Sequence, residues 1–519
     1  MDTKALRQKI LDLAIRGKLV PQDPSDEPAS VLLEKIREEK ARMVKEGKLK
    51  KKDIKNDSII YVGEDNLHYE KFQDGTEKCI EDEIPFEVPA GWEWTRIGSI
   101  CIINPRNNIS DSLEVSFVPM SLISEGYTNM YTYEIRTWSK VKSGFTHFAE
   151  NDIGIAKITP CFENRKSVIF KDLVNGYGAG TTELHILRTL DDTISNEYLL
   201  WIAKMDSFIQ GGVHTFSGAV GQQRVGKDYI SQYLIPVPPR NEQTRIIQKI
   251  NSIFEFIIRI ENAKEDLEEI IRQAKSKILD LAIRGQLVPQ DPNDEPASVL
   301  LERIRAEKEE LIKQGKIKRD KKESIIFKGE DNSYYEKVGN TVVNIDGEIP
   351  FELPDGWVFV RLKEMWELIS GRDLASSEYN AEGVGIPYIT GASNFTNGKV
   401  ELVRWTTSPQ VITKTGDLLL TCKGTIGEMA FNNFGDAHIA RQIMAIRNTF
   451  ELNPEYLALC MAFHISAIKN VAKGLIPGIS REDILNLILP VPPRAYQARV
   501  VKQMAMLTSF LISIEKSLN

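Results

Sequence analysis

Catalytic equipment is what this sequence has least of. No GxxxxGK[ST] phosphate loop occurs in its 519 residues, which excludes a self-contained P-loop ATPase. No HExxH pattern and no zinc-ligand Cys/His spacing is present. The five cysteines (Cys79, Cys101, Cys161, Cys422, Cys460) are scattered without a CxxC pair, and they read as reduced thiols of a cytoplasmic protein. The six histidines stand isolated, and no spacing among the 73 acidic residues picks out a catalytic pair. Long apolar runs are missing too: none approaches the ~20 residues that span a bilayer. The opening MDTKALRQKILDLAIRG is charged and amphipathic, unlike a signal-peptide core.

Positive charge is also in short supply. The formal net charge is -7. Residues 84–240 hold 14 Lys and Arg against 16 Asp and Glu, and residues 349–494 hold 13 against 15. A nucleic-acid face on this chain must therefore come from the arrangement of charge, not its total. The 42% hydrophobic content is that of a globular protein, and the length suits roughly two to four domains.

What the chain does have is a repeat. Lys9–Ile36, KILDLAIRGKLVPQDPSDEPASVLLEKI, returns at Lys277–Ile304 with three substitutions, Lys18/Gln286, Ser25/Asn293 and Lys35/Arg303. EIPFEVPAGWEW from Glu83 returns as EIPFELPDGWVF from Glu348, and IPVPPR ending at Arg240 returns as LPVPPR ending at Arg494. Between the second and third phrases the halves barely agree. Identical frames around divergent inserts imply one task performed on two targets.

From Asn241 to Arg284 the apolar residues Ile246, Ile250, Ile253, Ile257, Ile260, Leu267, Ile271, Ala274, Ile278 and Leu281 follow alternating steps of four and three, missing only at Lys264. That is the seam of a helix paired along its length. Gly285 and Pro289 end it. The segment from Arg494 parallels the start of this helix through Gln243/Gln497, Arg245/Arg499 and Ile260-Glu261/Ile514-Glu515, and the helix Thr3–Arg16 resumes the repeat where the C-terminal copy stops. The repeat is thus a circle cut within one helix, and it predicts two pseudo-equivalent halves across antiparallel helical segments. Shorter helices are predicted at Ala29–Lys45 and Ala297–Lys313, each followed by a Lys-rich run that reads as a solvated helix end or a phosphate or partner contact. Asn56–Asp82 and Glu323–Gly347 read as short-stranded connectors.

The inserts read as mixed α/β, with short β-rich runs, one late helix each (Tyr198–Gln210 and Tyr456–Lys469) and a Gly-rich loop after it. Asn104-Pro105-Arg106-Asn107 lacks the second proline and the aromatic residue of an adenine-methyltransferase motif and reads as a turn, as does GYGAG from Gly176.

Taken together, the amphipathic helix, the LVPQDPSDEPAS and LVPQDPNDEPAS phrases, the PVPPR exits and the circular half-helix layout resemble the specificity subunit of type I restriction–modification systems, over the whole chain. The resemblance implies an α+β fold with two mixed α/β target recognition domains separated by two long antiparallel, coiled-coil-like conserved helices. It implies residues 1–83 as N-terminal helix and connector, 84–239 as the first recognition domain, 240–348 as central helix and connector, 349–493 as the second recognition domain and 494–519 as the closing helix. It implies a non-catalytic reader of a bipartite, asymmetric site on double-stranded DNA. Two methyltransferase subunits and the restriction/translocase subunits would dock on it, and S-adenosylmethionine, ATP and Mg would belong to those partners, none to this chain.

Arginine reads guanine and glutamine reads adenine by paired hydrogen bonds in the major groove. The candidate DNA-binding residues are Lys157, Arg165, Lys166, Thr181, Thr182, His214, Gln222, Gln223, Arg224 and Lys227 in the first insert. In the second they are Arg372, Lys423, Thr425, Arg441, Gln442, Lys473, Ser480 and Arg481. The competing readings are a fused DNA methyltransferase or nuclease, which the missing motifs oppose, and a tandem-domain protein scaffold with no DNA role.

Overall fold

In the computed structural model the described residues are 2–190, 193–219, 222–317, 323–396, 398–450, 452–471 and 478–518. They form two compact units, Met1–Ala263 and Lys264–Asn519. The boundary falls inside one 44-residue helix, Arg240–Ile283, whose predicted seam residues are all buried or half-buried. At ~1.5 Å per residue it is roughly 66 Å long.

In the first unit the helix Thr3–Ile15 packs its apolar stripe, including Leu6, Ile10 and Leu11, into the core that holds Ile250, Phe254 and Ile257 of the long helix. Arg7 forks onto Glu261 with two bonds of 2.7 Å, while Asp26 pairs with Arg245 at 2.7 Å, so the two segments run antiparallel. The second unit repeats the scheme with the C-terminal helix Arg494–Ser517: Lys275 pairs with Glu515 at 2.8 Å, and Arg499 forks onto Asp294. The circle read from the repeat is built as two antiparallel helix pairs, one per unit.

The repeated phrases interlock. The amide of Ala29 donates to Gly91 O and that of Ala297 to Gly356 O, both at 2.8 Å, which docks each DEPAS segment on each P-x-GW turn. Gln22 and Gln290 donate to the carbonyls of Gly17 and Gly285, which close the preceding helices. Gly17 (φ +64°) is required there, because a Cβ would lie 2.3 Å from Pro89 Cγ. A three-stranded sheet follows in each unit: Ser58–Val62, His68–Phe72, Glu77–Cys79, then Ser324–Lys328, Tyr334–Val338, Thr341–Asn344. Across it a buried arginine is held by two carboxylates, Arg96 by Glu70 and Glu83, Arg361 by Glu336 and Glu348.

The ends of each insert pair with each other, Glu93–Arg96 with Leu234–Val237 and Val358–Arg361 with Ile488–Val491. Between them the divergent sequences adopt one topology. The first insert holds a sheet in the order Ser167–Ile169, Ile153–Ala156, Leu184–Thr189, Cys101–Ile103. The second holds Met429–Phe431, Leu418–Thr421, Ile443–Asn448, Trp366–Ser370 in the corresponding order. A companion sheet in each has a parallel central pair, Glu114–Val118 with Tyr177–Gly180 and Ile386–Ile389 with Ala437–Ile439. One buried ion pair recurs at matching places: Asp152 accepts from Arg188 at 2.8 and 2.7 Å, and Asp417 from Arg447 at 3.0 and 2.8 Å.

Two local expectations change. GYGAG is a strand after its first glycine, because its glycines make room for neighbours: a Cβ at Gly178 would lie 2.0 Å from the Phe148 ring. The first late helix is broken into Asn196–Ala203 and Asp206–His214, with Met205 extended between them. Lys204, fully buried at the break, donates to the carbonyls of Gly126 and Arg165 at 2.8 and 3.0 Å. The second late helix, Pro454–Val471, is continuous.

The Arg96 network predicts a measurable cost. Glu70, 1% exposed, takes two bonds from Arg96 and one from Ser58. Glu70→Ala leaves the buried Arg96 guanidinium with Glu83 and the Gln232 carbonyl alone, and should destabilise the first unit by about 1–3 kcal/mol, read as a lower denaturant midpoint.

Candidate nucleic-acid interface

In each insert sheet one set of strand ends lies together at one edge, and the loops that leave it carry most of the candidate residues. In the first insert, register places the ends of Cys101–Ile103 and Ile153–Ala156 beside the starts of Ser167–Ile169 and Leu184–Thr189. The loops at that edge are 104–107, 157–166 and 181–183. Residues 223–225 join them through backbone bonds from Thr159 to Gln223 O and from Val225 to Lys157 O, both 2.9 Å. Lys157, Thr181, Thr182, Gln222, Gln223 and Arg224 therefore share one edge, with Lys227 opening the next helix, Lys227–Gln232.

In the second insert the same edge is formed by the ends of Trp366–Ser370 and Leu418–Thr421 and the starts of Met429–Phe431 and Ile443–Asn448. It gathers Arg372, Lys423, Thr425, Arg441 and Gln442, all exposed. The bond from Ile479 N to Cys422 O, 2.9 Å, brings Ser480 and Arg481 to it. Lys473 lies outside the described residues.

The candidates differ in what they are free to do. Arg165 is buried: its Nε donates to Lys204 O at 3.0 Å, its terminal nitrogen pairs with Asp206, and its guanidinium lies 5.4 Å from the Tyr127 ring centre. It holds the 157–166 loop to the domain interior. Lys166 reaches Met120 O at 3.4 Å. Arg481 braces the strand Trp366–Ser370 through Leu368 O at 2.6 Å and Ser370 Oγ at 3.1 Å, and Ser480 caps its own short helix by accepting from Asp483 N. Thr181 Oγ1 accepts from Glu183 N at 3.1 Å. Lys157 presents a half-buried stem, whereas Thr182, Gln222, Lys227, Lys423 and Thr425 are exposed. His214 is exposed at the end of its helix, in the chain stretch leading to Ser217, whose backbone pairs with Arg224.

Two acids at these edges escaped the sequence reading. Glu183 accepts from Arg224 Nε and its terminal nitrogen at 2.8 and 2.9 Å. The Arg224 fork, assisted by nearby Lys157, holds the Glu183 carboxyl below its usual range. Asp373 accepts from Arg441 Nε at 2.7 Å and from Arg441 N at 3.1 Å. The only available signal was adjacency, Thr-Thr-Glu in one insert and Arg-Asp in the other. Asn104, another addition, sits at φ +55° and exchanges two bonds with the backbone of Ile186, so the chain bends at Asn104, while 105–107 continue as irregular chain without a closed turn. Behind it His185 is buried, donates to Val225 O at 3.1 Å, and is pushed toward its neutral form first by burial and then by Lys157 and Lys227.

Among the described residues no three His, Cys, Asp or Glu side chains gather as a metal ion would need, and no helix is long and apolar enough to cross a membrane. The edges offer donors, cations and amides on loops, the equipment for reading base edges and phosphates.

Comparison with known proteins agrees with that equipment. The family model for the type I restriction modification DNA specificity domain matches residues 89–269 and 354–519. The chain is 33% identical to the Type I restriction enzyme EcoEI specificity subunit of Escherichia coli over 96% of this chain and 88% of that protein. It is 39% identical to the EcoAI specificity subunit of the same organism over 73% of this chain, and spans 65% of that protein's length. The fold is similar to that of a solved chain from a study of type I R-M complex assembly, TM-score 0.60 at 18% identity, covering 84% of this chain and 94% of that one. It is also similar to the HsdS subunit from Thermoanaerobacter tengcongensis, TM-score 0.53 at 19% identity, with 83% and 93% covered.

The split between anchored and free side chains is testable. Arg165→Ala should cost about 1–3 kcal/mol of stability, because it strips partners from a buried network. Lys423→Ala should leave stability within about 0.5 kcal/mol while weakening DNA binding. Denaturation curves and salt titrations of DNA affinity on the two variants separate these outcomes.

Proposed function

The chain belongs to the family of type I restriction–modification DNA specificity proteins, and from that premise we propose that it reads a bipartite, asymmetric DNA site, one half-site at each insert edge. The observation that carries the proposal is the repetition of one sheet with one loop-bearing edge of strand ends in both units, furnished with different side chains each time. A shared scaffold fixes how each edge meets the groove, and the loops decide which bases are accepted. The chain is the reader and the assembly platform, without catalytic machinery of its own. Two methyltransferase subunits supply adenine methylation from S-adenosylmethionine, and restriction/translocase subunits supply Mg- and ATP-dependent translocation and cleavage. All of them act with it on DNA in the cytoplasm.

Replacing residues 84–239 by the insert of a relative should change one half-site and leave the other intact, scored by mapping methylated sites in cellular DNA. Alteration of both half-sites by one swap would remove the two-reader proposal.

The long helix serves as the ruler of the spacer in this reading. Four residues inserted near Glu265 add about 6 Å and rotate the chain by only ~40°. At roughly 3.4 Å per base step, the mapped spacer should lengthen by one or two base pairs. Two inserted residues turn the far end by about 200° and should abolish modification. An unchanged spacer in the four-residue variant would show that the helix is not the ruler.

A further inference from the structure

Each candidate reading edge carries one solvent-accessible arginine tied to one carboxylate, and the pairing is made by unrelated residues in the two units. In the first it is Arg224 with Glu183, in the second Arg441 with Asp373. The pairs are partly solvated: the arginine side chains are 40% and 69% exposed. Ion pairs so placed contribute little to stability. What they do restrict is geometry. A free arginine spends its rotamers and presents its charge to any phosphate, while a buttressed one is held as a planar fork.

Arg224 shows the consequence. Of the five guanidinium donors, one on Nε and one on a terminal nitrogen go to Glu183, and one on the other terminal nitrogen goes to Gln222 O at 2.8 Å. Two remain, one on each terminal nitrogen. That pair matches the two acceptors, O6 and N7, that guanine alone displays in the major groove. The neighbouring carboxylate disfavours close approach of a phosphate to the same cation. In the second unit Asp373 makes a simpler clamp, accepting from the Nε and from the backbone amide of Arg441, which ties the base of that guanidinium to its own main chain.

We propose that Glu183 and Asp373 are specificity-determining positioning residues, each presenting its arginine to a single guanine in its own half-site. The proposal rests on the two-reader function above and names what each edge selects.

The test uses the methyltransferase complex assembled on the full-length chain and a library of DNA duplexes with both half-sites randomised, selected at two salt concentrations. Glu183→Gln should lower discrimination at one guanine-containing base pair of the first half-site roughly ten- to a hundredfold, the range of a lost paired base contact. The second half-site and the unfolding midpoint should stay as in wild type. Affinity for non-specific DNA should hold or rise, with a steeper salt dependence, because a released arginine contacts phosphate. Asp373→Asn should do the same to the second half-site alone. Glu183→Gln combined with Arg224→Gln should affect the same base pair and no other, with no loss beyond that of Arg224→Gln. Unchanged selection in both carboxylate variants overturns the proposal, as does equal weakening on every sequence or a loss spread over both half-sites. If the wild-type complex itself selects no two-part site, the functional reading falls first and this inference with it.

Discussion

A buried glutamine stands at the joint where frame meets insert, once in each unit. The Gln243 amide donates to Pro238 O at 3.0 Å and accepts from Ser195 N at 2.8 Å. Gln497 donates to Pro492 O at 3.1 Å and accepts from Asn453 N at 3.0 Å. Both side chains are essentially inaccessible, at 0% and 1% exposure. A buried amide without partners costs several kcal/mol in the harshest reference and still about 1–3 kcal/mol in proteins, so the three segments that satisfy it cannot drift apart. Those segments are the PVPP exit strand, the start of the insert's late helix and the first turn of the frame helix. Asp26 with Arg245, and Asp294 with Arg499, then pin the DEPAS loop to the same turn. With the clamp held constant, the insert loops that do not pack on the frame can vary without changing this joint.

The frame was legible in sequence because its determinants are local or repeated. A heptad seam, glycine stops and a near-identical 28-residue repeat are visible without knowledge of tertiary contacts, and the long helix falls within a residue of its expected span. The common topology of the inserts was not legible. Strand cores accept Ile, Leu and Val in many combinations as long as total volume and patterning are kept, so Ile153–Ala156 and Leu418–Thr421 share a position without sharing a sequence. The surviving mark is the buried Asp–Arg pair, and it links residues some thirty to forty positions apart, beyond any helical or strand period. The break at Lys204 was hidden for the same reason, since its carbonyl partners Gly126 and Arg165 come from remote loops.

The candidate site divides along the same line. Loops that follow apolar strands arrive at one sheet edge because strand direction and pairing dictate it, and that pairing is not written in the sequence of any one strand. Whether a given arginine on those loops is free depends on whether a distant group reaches it. Arg165 finds Asp206 and Lys204 O; Arg481 finds Leu368 O and Ser370. Both are anchors by tertiary accident of sequence, while Lys423, four residues past the mid-strand Leu419, stays exposed at its loop tip.

The near-neutral inserts take on a physical meaning from this arrangement. Phosphate contacts made by lysine and arginine supply affinity that ignores sequence. A reader with much surplus positive charge would hold any DNA, and its base contacts would add only a small difference to a large common term. Here several of the cations at the edges are neutralised by neighbours: Arg224 by Glu183, Arg441 by Asp373, Arg165 by Asp206. That lowers the common term and leaves discrimination to donors in fixed geometry. Under the proposed two-reader function, each edge would hold its half-site weakly by itself, and tight binding would require both edges on one duplex, where the second engagement benefits from the effective concentration set by the first. In that reading low charge and duplication answer the same requirement: a site with one correct half would be released, and a site with two kept.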